Sequence, residues 1–329
     1  IMTTYKEIHG TNIEVVSSDP SNPVEGQIWY NTTSNVVKGF LVSAGSWATG
    51  GAMNTARNSL GSAGTTQAAA LGFGGDTNAP TKPADTESYN GTAWTEVNNL
   101  NTGRKAPGGA GTNTAALAFG GELAFPPGGP TAITESWNGS NWTEVNDMNT
   151  ARTYFGSAGA TNTACLAFGG DPVTTITENW NGTNWTEVND LNTQRDLLAG
   201  NGTNTSALAY GGETPSATAA TESWNGTNWT SVNSMNTVRR RLAGAGASNT
   251  AGLAFAGKIS LGPDPVTGAT EVWNGTNWTE VGDMSLAREF LGSSGTNSSA
   301  SGFGGFIPPS TTSTEEFNSG PATVSFLGS

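Results

Sequence analysis

The chain has 329 residues, long enough for two average domains if nothing in it repeats. Only 12% of its residues are charged, against a usual share of about 25%, and 46 are glycine, which excludes a charge-rich disordered chain. Its 26 acids against 13 bases leave a net charge of −13, which disfavours nucleic-acid binding, since that needs a basic surface to track phosphates, and equally an anionic membrane.

Residues 1–44 stand apart from the remainder of the chain. Ile1-Met2-Thr3-Thr4-Tyr5-Lys6-Glu7 lacks the apolar core of a signal peptide, and no apolar run approaches the roughly 18 to 20 residues of a spanning helix. Asp19-Pro20-Ser21-Asn22-Pro23 breaks the segment midway. The run from Gly26 through Ile28-Trp29-Tyr30-Asn31, Thr32-Thr33-Ser34-Asn35 and Val36-Val37-Lys38-Gly39-Phe40 reads as a β-hairpin with a polar turn.

From residue 45 onward the chain repeats, and the phrase Trp-Asn-Gly-Thr-Asn-Trp-Thr-Glu-Val returns almost verbatim. The second tryptophan of each copy is Trp47, Trp94, Trp142, Trp185, Trp229 or Trp278, at intervals of 47, 48, 43, 44 and 49 residues. Each is followed 10 residues later by an arginine: Arg57, Arg104, Arg152, Arg195, Arg239 and Arg288. A glutamate (Glu87, Glu135, Glu178, Glu222, Glu271) precedes the next tryptophan by 7, and Glu315 holds the matching place in the last copy. Nearly all length variation falls between a small-residue pair ending at Gly75, Gly121, Gly170, Gly212, Gly257 or Gly305 and that glutamate, so one loop per copy is free to change.

Each copy reads as four strands. Strand a is small, as in Leu60-Gly61-Ser62-Ala63-Gly64. Strand b alternates and ends at the glycine pair, as in Ala116-Leu117-Ala118-Phe119. Strands c (Ile133 to Trp137) and d (Trp142 to Val145) flank Asn138-Gly139, the strongest short hairpin signal, read as a turn with both residues at positive φ. Such a unit cannot bury two apolar faces alone. Stacking copies around an axis does so, with small residues crowded inside and tryptophans in the wider wedges outside, which predicts a β-propeller. Six arginines, six glycine pairs and six c-strand aromatics (Tyr89, Trp137, Trp180, Trp224, Trp273, Phe317) predict an all-β fold of six four-stranded antiparallel blades over 45–329, preceded by an attachment segment over 1–44. The last copy lacks a following tryptophan, so Trp47 is expected to supply its d strand. The competing closure uses Thr323-Val324-Ser325-Phe326.

Arginine at the head of a, an apolar segment ending Gly-Gly, Thr-Glu-x-aromatic and Trp-x-x-Val together resemble the kelch repeat over about residues 46 to 318. Two departures stand out: five residues separate the aromatic from the tryptophan, shorter than the usual kelch hairpin, and one glycine pair is Ala256-Gly257. The Gly26–Phe40 run is similar to one in bacteriophage tail and fibre proteins, particularly of marine phages with kelch-like repeats. That resemblance implies a virion component, assembled in the host cytoplasm, whose N-terminal segment attaches to neighbouring virion proteins.

An arginine and a glutamate recurring in every copy are better read as architecture than as a site, with Arg57/Glu87 and its counterparts as ion pairs linking inner to outer strands. Glycosidase carboxylate pairs cannot be told from recurring structural acids, sialidase Asp-box motifs are absent, and copper ligation would need histidines beyond His9. No enzyme, cofactor or metal is expected. Cys165 excludes an internal disulfide and stands where other copies have Ala70, Ala116 or Ala207, so it reads as a small buried residue; His9 reads as a surface residue.

In an up-and-down blade the b-to-c and d-to-a connections share one face. There the loops vary, Phe125-Pro126-Pro127 and Pro263-Asp264-Pro265 among them, as do the residues after each arginine: Asn58-Ser59, Lys105-Ala106, Thr153-Tyr154, Asp196-Leu197, Arg240-Arg241 and Glu289-Phe290. Variable loops on a rigid scaffold are where binding resides. Lys105, Tyr154, Asp196, Arg240, Arg241, Glu289 and Phe290 near the channel mouth, with Phe125, form the candidate binding set. The expected partners are other virion proteins and a host-surface glycan or protein receptor, with homo-oligomers possible and neither nucleic acid nor membrane insertion expected. The alternatives are a decorative module that binds only virion proteins through the uniform face and, least favoured, an envelope-polysaccharide-degrading enzyme.

Overall fold

The structure, a computed structural model, describes residues 13–20, 27–42, 45–124, 128–259 and 266–326. His9, Phe125 and the Pro263-Asp264-Pro265 stretch lie outside them. The chain divides into two units, residues 1–45 with 319–329, and residues 46–318. Pro321–Phe326 thus belongs with the N-terminal segment and not with the repeats it follows in sequence.

The described residues are all-β, with no helix, and form seven four-stranded sheets where the repeat count predicts six. The additional sheet lies in the first unit. Ile28–Asn31 and Val36–Val42 pair antiparallel within it, flanked by Glu14–Val16 in parallel and by Pro321–Phe326. The N-terminal strands therefore do not stand as a lone hairpin: the edge of Val36–Val42 is paired by the C-terminal strand, which removes an exposed edge.

The other six sheets carry the repeat and are antiparallel throughout, giving a β-propeller-like architecture. The third is representative, with a at Gly156–Thr161, b at Ala164–Phe168, c at Thr177–Trp180 and d at Trp185–Val188. The sixth is completed by Ser46–Thr49, whose Trp47 lies opposite Phe317. Thr323–Phe326, the competing strand, is paired with Val37–Phe40 in the first unit. Strand b is buried on both sides, Ala116, Leu117, Ala118 and Phe119 all being inaccessible, because a neighbouring sheet covers each face. Inner strands approach too closely for side chains: a Cβ on Gly109 would collide with the Ser62 carbonyl of the adjacent sheet.

Each d-strand tryptophan wedges into the preceding sheet. The Trp142 ring packs on Phe73 at 5.0 Å between centroids, and its Nε1 donates to Thr86 Oγ1 at 3.1 Å. The same pair of contacts recurs for Trp185 with Phe119 and Thr134, Trp229 with Phe168 and Thr177, and Trp278 with Tyr210 and Thr221. Trp47 with Phe255 and Thr270, and Trp94 with Phe303 and Thr314, carry it through the sixth sheet back to the first. Burying one such side chain contributes about 2 to 3 kcal/mol.

The c-to-d turns depart from expectation. Trp137 pairs directly with Trp142, leaving a four-residue turn in which Gly139 alone takes positive φ (92°). Asn138 instead accepts hydrogen bonds at Oδ1 from the Ser140 and Asn141 amides, so the asparagine is selected as an acceptor that folds the turn.

Candidate functional site

The arginine and glutamate of every repeat fix the end of the sheet where the loops vary. Arg57 Nη2 meets Glu87 Oε1 at 2.8 Å, and Arg104–Glu135, Arg152–Glu178, Arg195–Glu222, Arg239–Glu271 and Arg288–Glu315 are the equivalent ion pairs, all buried. Burial pushes the Arg152 and Arg288 guanidinium groups down to about 10, against the opposing pull of Glu178 and Glu315. The free carboxylate oxygen of Glu87 accepts from the Asn54 amide at 2.7 Å and from its side chain at 2.9 Å. Each glutamate thus ties the d-to-a connection onto strand c and sets the direction in which the chain leaves the arginine.

One residue after each arginine, the backbone bridges to the residue that follows the small pair: Asn58 to Asp76, Lys105 to Glu122, Thr153 to Asp171, Asp196 to Glu213, Arg240 to Lys258 and Glu289 to Phe306. Two residues after it, every repeat places a non-glycine residue in the left-handed region. These are Ser59, Ala106, Tyr154, Leu197, Arg241 and Phe290, at φ between 49° and 58°. Such a conformation costs about 1 to 3 kcal/mol per residue and persists only where surrounding contacts impose it. The contacts here are a ring of backbone hydrogen bonds: the amides of Ser59, Ala106, Leu197, Arg241 and Phe290 donate to the carbonyls of Phe290, Ser59, Tyr154, Leu197 and Arg241, at 2.7 to 3.0 Å.

The side chains of this ring surround a cavity of about 120 Å³ floored by apolar residues such as Leu60, Phe155 and Leu242. Tyr154 and Phe290, from repeats on opposite sides, meet over it with ring centroids 5.6 Å apart. Lys105 Nζ sits 5.9 Å from the Tyr154 centroid and pairs with Glu122 at 3.1 Å. Arg241 stacks on Phe290 at 4.7 Å and pairs with Glu289 at 3.1 Å. Two cations therefore brace the two aromatics from outside. A separate space of about 220 Å³ runs between the six small inner strands.

The expected set separates into two layers. Tyr154, Arg241 and Phe290 form the mouth. Lys105, Asp196, Arg240 and Glu289 lie one residue earlier, in the bridge layer, where Arg240 and Glu289 are buried and Arg240 is committed to Glu213 at 2.7 Å. Asp196 is pushed up to about 6 by burial and by the neighbouring Glu213 and Asp171 carboxylates. Ser59, Ala106 and Leu197 complete the ring, although in sequence they stand out only as neighbours of the variable positions. The signal that could have found them is that this position, like the one before it, is a different residue in every copy.

Among the described residues no group of three His, Cys, Asp or Glu side chains is placed to hold a metal, and no helix is long and apolar enough to cross a membrane. Cys165 is buried, and burial raises its thiol well above its ordinary value. The chain matches no known family model and no curated protein.

Proposed function

We propose that the chain is a non-enzymatic bacteriophage virion protein, a tail or fibre component built on a six-bladed kelch-like propeller that turns its variable face toward a host-surface glycan or protein. The observation that carries this reading is the left-handed ring: one backbone conformation repeated six times, with alanine, tyrosine, arginine and phenylalanine part-exposed and Ser59 and Leu197 buried between them. A scaffold that holds strain constant while changing only the side chain suits recognition, since strained positions cluster where a surface must be pre-shaped. The repeat's chain ends support the orientation. Ser46 pairs with Asn318 at the end of the sixth sheet that corresponds to the c-to-d turns of the others, opposite the variable loops. In this reading the residues before 46 attach to neighbouring virion proteins, and the resemblance of Gly26–Phe40 to phage tail proteins favours that role.

The test replaces Tyr154 and Arg241 together by alanine and measures particle adsorption to host cells. Arg241 is chosen over Arg240, which is buried against Glu213. Adsorption lost at least tenfold with an unchanged melting temperature supports the reading; full adsorption by a folded variant overturns it. A second reading, a structural module docking on virion proteins through the uniform end, is favoured by the constancy of that end. It predicts failed assembly with unaffected adsorption when that end is altered.

A further inference from the structure

The turn end of the repeat sheets is uncharged in its loops. The a-to-b loops (64–68, 111–115, 159–163, 202–206, 246–250, 295–299) and c-to-d turns (90–93, 138–141, 181–184, 225–228, 274–277) contain no aspartate, glutamate, lysine or arginine, in a chain with 26 acids and 13 bases. The a-to-b and c-to-d segments lie together, since Trp137 Nε1 donates to the Asn113 carbonyl and Asn162 Nδ2 to Ser136 Oγ. The exposed tips are Thr114, Thr163, Thr205, Thr250 and Ser298. In each of these loops the tip hydroxyl pairs with one two residues earlier, as for Thr112 and Thr114 at 3.2 Å and Ser248 and Thr250 at 3.0 Å.

We propose that this end is a homotypic interface, on which a second copy of the chain docks like face to like face. Three physical arguments select that occupant. Depletion of charge is one compositional mark of the core of a protein interface. A two-fold contact needs a self-complementary patch, and hydroxyls and side-chain amides both donate and accept, so such a surface is its own complement. With a net charge of −13, two copies repel one another, and this end brings no carboxylates together. A neutral glycan is the competing occupant, but the tryptophans flanking the turns point inward, Trp142 being 5% exposed, so no ring is offered for a sugar to stack on. The inference is independent of the virion reading, because it rests on surface chemistry alone.

Sedimentation velocity of the full chain over a concentration series tests it. Two triple variants, T114K/T163K/T205K and T114D/T163D/T205D, place like charges on exposed tips. The wild type is expected to shift from monomer to dimer with concentration. Each variant should remain monomeric with an unchanged melting temperature, and mixing the two should restore a dimer of one of each. A wild type monomeric at its highest soluble concentration overturns the proposal, as do dimers that persist in both separate variants, or a monomeric wild type that binds neutral polysaccharide through these tips.

Discussion

Trp47 Nε1 donates to Thr270 Oγ1 at 3.0 Å across 223 residues of sequence, and the same indole packs on Phe255 at 4.9 Å and Phe317 at 5.2 Å. One side chain from the start of the repeat region thereby joins its last two sheets. Trp47→Ala should cost about 3 kcal/mol, as large aromatic truncations do. Thr270→Val, which removes the hydroxyl together with its bond to the Gly268 carbonyl, should cost about 1 kcal/mol. Denaturant unfolding of the two single variants and the double should show coupling; additive effects would mean that the indole contributes nothing through Thr270.

The buried ion pairs make a different demand. Arg152→Ala leaves the Glu178 carboxylate buried without its cation and should destabilise by about 3 to 5 kcal/mol. Replacing both partners by apolar residues of similar volume should recover much of that loss. An unchanged melting temperature for Arg152→Ala would contradict the architectural role given to the pair.

The left-handed ring predicts a gain. Ala106 sits at φ 49° with almost no side chain to lose. Ala106→Gly should raise stability by about 0.5 to 1 kcal/mol, because glycine adopts this conformation without a Cβ penalty. The readout is the denaturant midpoint, and a decrease would show that the conformation is not strained.

Asp196 supplies a pH signature. Its folded value of about 6 lies above the ordinary 3.8. Between the two, the native protein holds a proton that the unfolded chain has released, so this group's contribution falls as pH rises through the window and is regained on acidification. Asp196→Asn should remove that dependence, leaving the variant more stable than wild type at neutral pH by about 1 kcal/mol, a figure reduced for solvent screening at a half-exposed site. Parallel melting curves for the two proteins across the window would remove Asp196 from the account.

Much of the architecture is legible in the sequence because its causes are periodic. The constant Trp-to-Arg spacing and the Ala/Gly/Ser composition of strand a are local consequences of a strand crowded against its counterparts. The pairing of Pro321–Phe326 with Val36–Val42 is not legible, since it joins two non-repeating segments nearly three hundred residues apart and no internal copy exists to calibrate them. The turn conformation at Asn138 is hidden for another reason: Asn-Gly suits two turn types, and the choice rests on whether Oδ1 finds the amides of Ser140 and Asn141. The mouth is half legible. Tyr154, Arg241 and Phe290 stand out as variable, but left-handed backbone is signalled in sequence by glycine or asparagine, and here tertiary hydrogen bonds impose it on Leu197 and Phe290.

The proposed virion protein with an outward recognition face should be found at one place on the particle. An antibody against residues 46–329, gold-labelled and imaged on purified particles, should mark the tail periphery. Label over the capsid, or none on antigen-accessible particles, would contradict the account.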